Sequence, residues 1–267
     1  MMRVVVTDAE VTLADVLSLR LAIEDPLAEG TELVLRQRGT GVERDVVVGT
    51  PGARLGRSRE ATLAVSLAPL MLSAGRWDAY LRQGGTRVRL RSVDPGFSLD
   101  HLDAYALCRR TLAYRSYRTR NGFLALKIDQ AQPAAEVRAV WFREGRFEVM
   151  GVLAFTGLDD DDSRHEARMQ LRRGPAGARV AGNATVQGVR FHAAVSLVDV
   201  IAADPGAAAW EPTLEVEGVP SPLRLASRLD DVDGKRRRLH YPATQVDGVP
   251  IRPGYTSDDE LRIEVGG

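Results

Sequence analysis

His101, His165, His192 and His240 are the chain's imidazoles, and Cys108 is its single thiol. Such groups do acid–base, nucleophilic or metal chemistry only when the chain sets them at characteristic spacings. None of the four histidines stands in a Gly-x-Ser-x-Gly, His-Glu-x-x-His or Walker-type context. No glycine-rich loop stands between a strand and a helix to cradle a phosphate or dinucleotide. A single cysteine excludes an intramolecular disulfide and leaves a structural zinc site without its thiolates. Arg109 and Arg110 favour the Cys108 thiolate, but a lone cysteine ordinarily packs as a small hydrophobe. The expectation is no catalytic constellation, no metal site and no cofactor.

Two acidic runs could supply oxygen ligands, Asp159–Asp162 and the group Asp230, Asp231 and Asp233. Neither has the alternating spacing and distal glutamate of an EF-hand loop, and adjacent aspartates point in diverging directions. They read as solvated loops. The arginines are more suggestive. Arg115, Arg118 and Arg120 interleave with Tyr114 and Tyr117, directly after Arg109 and Arg110. Arginine with tyrosine on a loop suits an anionic or sugar-like ligand, so Tyr114, Arg115, Tyr117, Arg118 and Arg120 form the candidate binding set. A second basic run, Lys235–Arg238, follows the acids at 230–233 and is expected to pair with them. Lys plus Arg and Asp plus Glu both number 36, and this zero balance argues against nucleic acid as partner.

The elements that must position these groups are strands. Leu17–Leu21, Glu32–Arg36, Phe123–Ile128, Arg146–Val149, Thr213–Val216 and Leu261–Val265 alternate apolar and polar residues, the period of antiparallel strands with one buried face. Turn signals such as Gln83-Gly84-Gly85, Asn121-Gly122 and Glu144-Gly145 separate them. Helical signals are confined to residues 98–111 and the apolar stretch 193–202, whose first half reads as strand. No stretch approaches the roughly 20 apolar residues of a membrane span. The N-terminus lacks a signal-peptide pattern, which makes a cytoplasmic protein the expectation.

The pattern repeats. Ala64-Val65-Ser66-Leu67 recurs as Ala194-Val195-Ser196-Leu197, and each copy is followed by a strand tryptophan, Trp77 or Trp210. Arg89-Leu90 matches Arg224-Leu225, and Tyr117 and Thr119 before one last alternating strand match Tyr255-Thr256 before the other. Leu33–Arg36 matches Met169–Arg172. Order and near-constant spacing imply an internal duplication, with a linker-like junction at Gln130–Ala134. The expected fold is all-β: two tandem immunoglobulin-like antiparallel β-sandwich domains, over residues 1–130 and 134–267. Trp77 and Trp210 are the expected core anchors.

The segment Gly75-Arg76-Trp77-Asp78-Ala79-Tyr80-Leu81-Arg82, with Arg87–Leu90 and Tyr117–Leu126 after it, carries a resemblance. It resembles the immunoglobulin-like β-sandwich accessory modules that accompany actinobacterial glycosyltransferases and glycerophosphotransferases of cell-surface polymer synthesis. The second half keeps only Trp210 and Tyr255-Thr256 of that pattern. The resemblance implies a non-catalytic module that serves oligomerisation or holds a polymer or a glycosyltransferase-type protein, here without an attached transferase domain.

Two functional expectations result. One is a non-catalytic binding or scaffold protein for a glycan-like or anionic polymer or a protein partner, able to self-associate through exposed sheet edges. The alternative is a small-molecule enzyme, a cyclase or isomerase, with a cleft between two β domains lined by Tyr114, Tyr117, Trp141 and His192.

Overall fold

Strict alternation forms the first strands. In Glu60–Ser66 every second side chain is buried and every other one exposed, so the segment can only lie as a strand over a core. A computed structural model of the protein describes residues 3–48, 60–94, 107, 110–230, 232 and 234–266. The chain divides into two compact units, the first from residues 1–99 and 110–131 and the second built on residues 132–267. The helical stretch expected at 98–111, with His101, Cys108 and Arg109, lies almost wholly outside the described residues, as do Asp231 and Asp233.

The first unit contains β1 (Val4–Val11), β2 (Val16–Ile23), β3 (Glu32–Gln37), β4 (Glu43–Val47) and β5 (Glu60–Ser66). β6 (Gly75–Gln83), β7 (Thr86–Arg89), β8 (Arg91–Ser92), β9 (Leu112–Arg118) and β10 (Leu124–Gln130) follow. They make two sheets, ordered β5-β2-β1-β8 and β4-β3-β6-β10-β9, with β7 added to β6. Leu17, Leu19, Leu21 and Val65 from one sheet pack on Leu33, Leu35, Trp77 and Leu126 from the other. Trp77 is about as buried as any residue of this core, and its Nε1 donates to the Ser73 carbonyl at 3.0 Å. A buried indole with its N–H satisfied contributes large apolar area without a polar penalty.

The second unit contains β11 (Ala134–Arg143), β12 (Arg146–Ala154), β13 (Arg164–His165), β14 (Ala167–Arg172), β15 (Arg179–Gln187) and β16 (Arg190–Ser196). Helix α1 (Leu197–Ala203) comes next, capped by the Ser196 hydroxyl on the Asp199 amide. β17 (Ala208–Val216), β18 (Leu223–Ala226), the one-turn α2 (Lys235–Arg238), β19 (Thr244–Val246), β20 (Val249–Tyr255) and β21 (Leu261–Val265) complete it.

Ladder by ladder, the two units share a register. Leu17 faces Val65 as Phe147 faces Val195, and Leu33 faces Leu81 as Met169 faces Leu214. Trp77 faces Leu126 on β10 as Trp210 faces Ile263 on β21. β1 and β11 each carry a register shift at the same point of their hairpins, between Val6 and Asp8 and between Val137 and Ala139.

Two features differ from the expected architecture. Neither unit is wholly antiparallel, because β8 in the first unit and the second half of β18 in the second run alongside the first strand of the unit. Arg91 and Ser92 then run parallel to β1, and Leu225 and Ala226 run parallel to β11. The second unit is also not a pair of separate sheets. β14 pairs with both β15 and β17, and β15 also pairs with β16, so β11-β12-β16-β15-β14-β17-β18 closes on itself as a barrel. The reason is β15, which pairs with β14 through Arg179–Asn183 and with β16 through Asn183–Gln187. At the bend sits Gly182, where a Cβ would collide with the Ala194 carbonyl oxygen. Only glycine lets β15 come close enough to turn the corner.

Candidate functional site

Glu144 and Gly145 both adopt left-handed backbone conformations, with φ of 51° and 70°, and make a tight two-residue hairpin between β11 and β12. That turn fixes the register. Arg143 lies opposite Arg146, Phe142 opposite Phe147, and Trp141 opposite Glu148. Phe147 and Val149 point into the core, so Glu148 and Met150 point to the outside of the barrel. On the other side of β12, β16 places Ala194 opposite Glu148 and His192 opposite Met150. Two strand pairings thus assemble indole, carboxylate, guanidinium and imidazole on one outward face.

The carboxylate is the centre of this group. Trp141 Nε1 donates to Glu148 Oε2 at 2.9 Å, and Arg143 Nη2 lies 3.2–3.3 Å from both carboxylate oxygens. His192 Nε2 is 3.4 Å from Oε2, and the indole and imidazole centroids are 6.0 Å apart. The Glu148 side chain is only 5% exposed, whereas those of His192 and Arg143 are 46% and 64% exposed. Burial pushes the Glu148 carboxyl upward, but the hydrogen bonds from Trp141, His192 and Arg143 and the Arg143 charge outweigh it and hold the group below its usual value. An ionised, buried carboxylate with three donors acts as a clamp. It fixes the half-buried Trp141 ring and leaves the outer edges of Arg143 and His192 open to solvent.

Around this clamp, exposed Arg146 and Met150 come from β12, half-buried Ala194 from β16, and exposed Asn183 and Thr185 from β15. The small Ala194 sits between Glu148 and Asn183 in the cross-strand register. The face therefore offers an aromatic ring, several N–H donors and an amide, the mixture that anchors polar, ring-shaped ligands.

The residues expected from the arginine–tyrosine pattern lie elsewhere. Tyr114 and Tyr117 are both buried on β9, at 7% and 5% exposure. Their odd spacing turns them to opposite faces of the strand. Tyr114 packs in the core of the first unit, where burial and the Asp15 charge push its phenol up against the opposing effect of Arg110. Arg115 pairs with Asp129 at 3.4 Å, and its side chain is 9% exposed. Arg118 and Arg120 are exposed at the end of β9 and in the turn after it. The five are not gathered into one surface. Of the four residues expected to line an enzyme cleft, Trp141 and His192 do meet, on the barrel face. Trp77 and Trp210 are buried in their respective cores, at 1% and 0% exposure.

In the acidic run, Arg190 takes Asp160 in two contacts of 2.5 and 3.1 Å, Gln187 donates to Asp162, and Asp161 accepts from Ser163. The three side chains go to three different partners. Among the described residues, no group of three or more His, Cys, Asp or Glu side chains is placed to hold a metal ion. None of their helices is long and apolar enough to cross a membrane. Lys235 pairs with Asp230 at 2.5 Å, in line with the expected pairing, and among the described residues Arg236–Arg238 pair with no carboxylate; the other two acids of that run, Asp231 and Asp233, lie outside the described residues.

Glu148 and Arg143 carry the site and were not among the residues singled out by type and spacing. A signal for them was present. The Glu144-Gly145 turn with strand alternation on both sides puts Trp141 opposite Glu148. The approach of His192 depends on the long-range β12–β16 pairing and has no local signal.

No family model matches the chain, and no curated protein matches it. Among solved structures, residues 217–571 of TarS from S. aureus align at a TM-score of 0.39 and 10% identity, over 73% of this chain and 56% of that one. A longer TarS structure aligns at 0.35 and 11% identity, over 73% of this chain, which spans only 35% of its length. A two-domain fibronectin type III segment of chicken tenascin aligns at 0.22 and 11% identity, over 82% and 94% of the two chains.

Proposed function

We propose that the chain is a non-catalytic binding or scaffold protein of two β modules that arose by duplication, and that the second module meets a glycan-like polymer on its Trp141 face. The observation that carries this reading is the clamp itself. A buried carboxylate holds a half-buried indole in place while the exposed edges of Arg143 and His192 remain available beside it. A rigid aromatic ring with adaptable polar groups around it loses little entropy on binding, and this favours recognition over turnover. The duplication rests on the shared ladder registers, which reach as far as the shift in β1 and β11.

The test is isothermal titration of the full chain with a panel of soluble glycan polymers, neutral and acidic, with Trp141→Ala alongside. At least one polymer binds the native chain, and Trp141→Ala weakens that binding tenfold or more while the far-UV circular dichroism stays unchanged. Equal binding by the variant would move the ligand away from this face. Turnover of a substrate, lost on substitution of His192 or Glu148, would replace the binding reading with an enzymatic one.

A further inference from the structure

The bases at 235–238 follow a run of acids in sequence, and among the described residues the fold gives Asp230 to Lys235 alone. Lys235 turns inward and is fully buried. Its Nζ donates to Asp230 Oδ1 at 2.5 Å and to the Val232 carbonyl at 2.9 Å, while the other Asp230 oxygen accepts from Ser227 at 2.5 Å. Asp230 is thus occupied on both oxygens. Beside it, Tyr255 hydrogen-bonds with Tyr241 and Ser227, and burial pushes its phenol far above the ordinary range. This polar network pins the single turn of α2, which closes through Arg237 N to the Gly234 carbonyl and Leu239 N to the Lys235 carbonyl.

With Lys235 fixed inward, the next three positions turn outward by about 100° each. Arg236, Arg237 and Arg238 are all exposed, and exposed His240 follows them. Among the described residues none of the three arginines is within ion-pair distance of a carboxylate, in contrast to Arg224 on Glu211, Arg228 on Glu260 and Arg252 on Glu264 in the same unit. Three consecutive guanidinium groups therefore fan around a short, firmly anchored post.

We infer that this collar is a docking surface for an extended acidic segment of a partner protein. The fan decides the shape of the partner. A flat anionic surface meets one or two of the three arginines, whereas a flexible chain wraps around the post and offers a carboxylate to each. The guanidinium fork matches carboxylate in bidentate geometry. A single nucleic-acid strand also wraps, but it draws much of its affinity from aromatic platforms. Tyr241, three residues after Arg238, is turned to Tyr255, their rings tilted at 40° with centroids 6.4 Å apart. This surface is separate from the Trp141 face and stands whether or not that face binds a polymer.

The test is fluorescence anisotropy of labelled oligoglutamate with the full chain at low salt. The comparisons are the triple variant Arg236→Ser, Arg237→Ser and Arg238→Ser and, as control, exposed Arg179→Ser at the start of β15, away from both surfaces. The native chain and the control bind alike, the triple variant binds at least tenfold more weakly, and added salt suppresses binding in step with screening. Near-UV circular dichroism shows that the triple variant is folded, because all three side chains lie outside the core. Equal binding by the triple variant, or no binding by the native chain, overturns the inference. Tighter binding of a labelled single-stranded oligonucleotide, or of vesicles containing anionic lipid, than of oligoglutamate overturns it as well.

Discussion

The first unit leaves β4 paired only with β3 and β5 only with β2 among the described strands, whereas in the second unit the matching strands, β15 and β16, pair with each other. Among the described residues, the same ladders at the same register yield two sheets in one case and a closed barrel in the other. The position facing Leu33 across β3 is Val46, and the matching position facing Met169 is Gly182. In the second unit, glycine at this position lets β15 and β16 meet. The units also differ in what they display. The first unit's counterparts of Trp141, Glu148 and His192 are Glu10, Ser18 and Thr62; Glu10 faces Ser18 and Thr62 faces Arg20 across the same ladders, without an aromatic ring or an imidazole. Two units with matching ladders thus carry a clamp on one of them.

The sharpest way to break the equivalence is through the tryptophans. Trp77→Ala and Trp210→Ala each remove a fully buried indole from a closed core, and each is expected to cost about 3–5 kcal/mol in equilibrium unfolding. If one of them costs less than about 1 kcal/mol, the two positions are not equivalent. Closure is tested at the next magnitude. Gly182→Ala drives a methyl group into the Ala194 carbonyl and against Val195 Cβ at 3.1 Å, both on a neighbouring strand that cannot move alone. The expected loss is about 2–3 kcal/mol. Val46→Ala at the matching site only trims a partly buried side chain at the rim of the first core, for about 1 kcal/mol or less. Urea titrations of the two variants rank them, and the reverse order would remove Gly182 as the reason the barrel closes.

Much of the frame is legible in the sequence, and the reason is geometric. Period two in Glu60–Ser66 and Leu261–Val265 states which side chains enter a core, and the repeated Ala-Val-Ser-Leu marks strands that take the same register. Closure is not legible in that way. β15 alternates like any other strand, and only the approach of β16, distant in sequence, distinguishes a corner glycine from an ordinary one. The candidate site shows the same division. Tyr114 and Tyr117 were grouped by residue type, although their odd spacing on a strand already separates them to opposite faces. Trp141 and Glu148 are joined by a turn that the sequence announces, whereas His192 joins them through a pairing it does not.

A smaller effect separates the two buried indoles. Trp77 Nε1 has the Ser73 carbonyl, but Trp210 Nε1 is buried with no hydrogen-bond partner among the described residues. A buried unsatisfied N–H carries a desolvation penalty of about 1–3 kcal/mol, and its removal is the exception to the rule that trimming a core costs stability. Trp210→Phe is therefore expected to be at least about 1 kcal/mol less damaging than Trp77→Phe, which loses similar volume and orphans the Ser73 carbonyl as well. Guanidinium unfolding of both variants measures the difference. Equal costs would mean that volume alone decides at both positions.

The smallest effect belongs to the clamp. Glu148 has its carboxyl held below the ordinary glutamate value by Trp141, His192 and Arg143. A group with a depressed folded-state pKa stabilises the fold fully above its unfolded value, and that contribution is lost as pH falls through the folded value. The native chain is therefore expected to lose thermal stability relative to Glu148→Gln as pH drops below about 4.5, the ordinary value for the group. Above that range the native chain is the more stable of the two. Ser18 occupies the equivalent position in the first unit and has no charge to titrate, so Ser18→Ala is expected to track the native chain at every pH. Melting temperatures of the three proteins across the acid range decide the matter. A constant gap between native chain and Glu148→Gln would mean that the carboxylate is not held ionised by its neighbours, and the ionic part of the difference between the two faces would fall away.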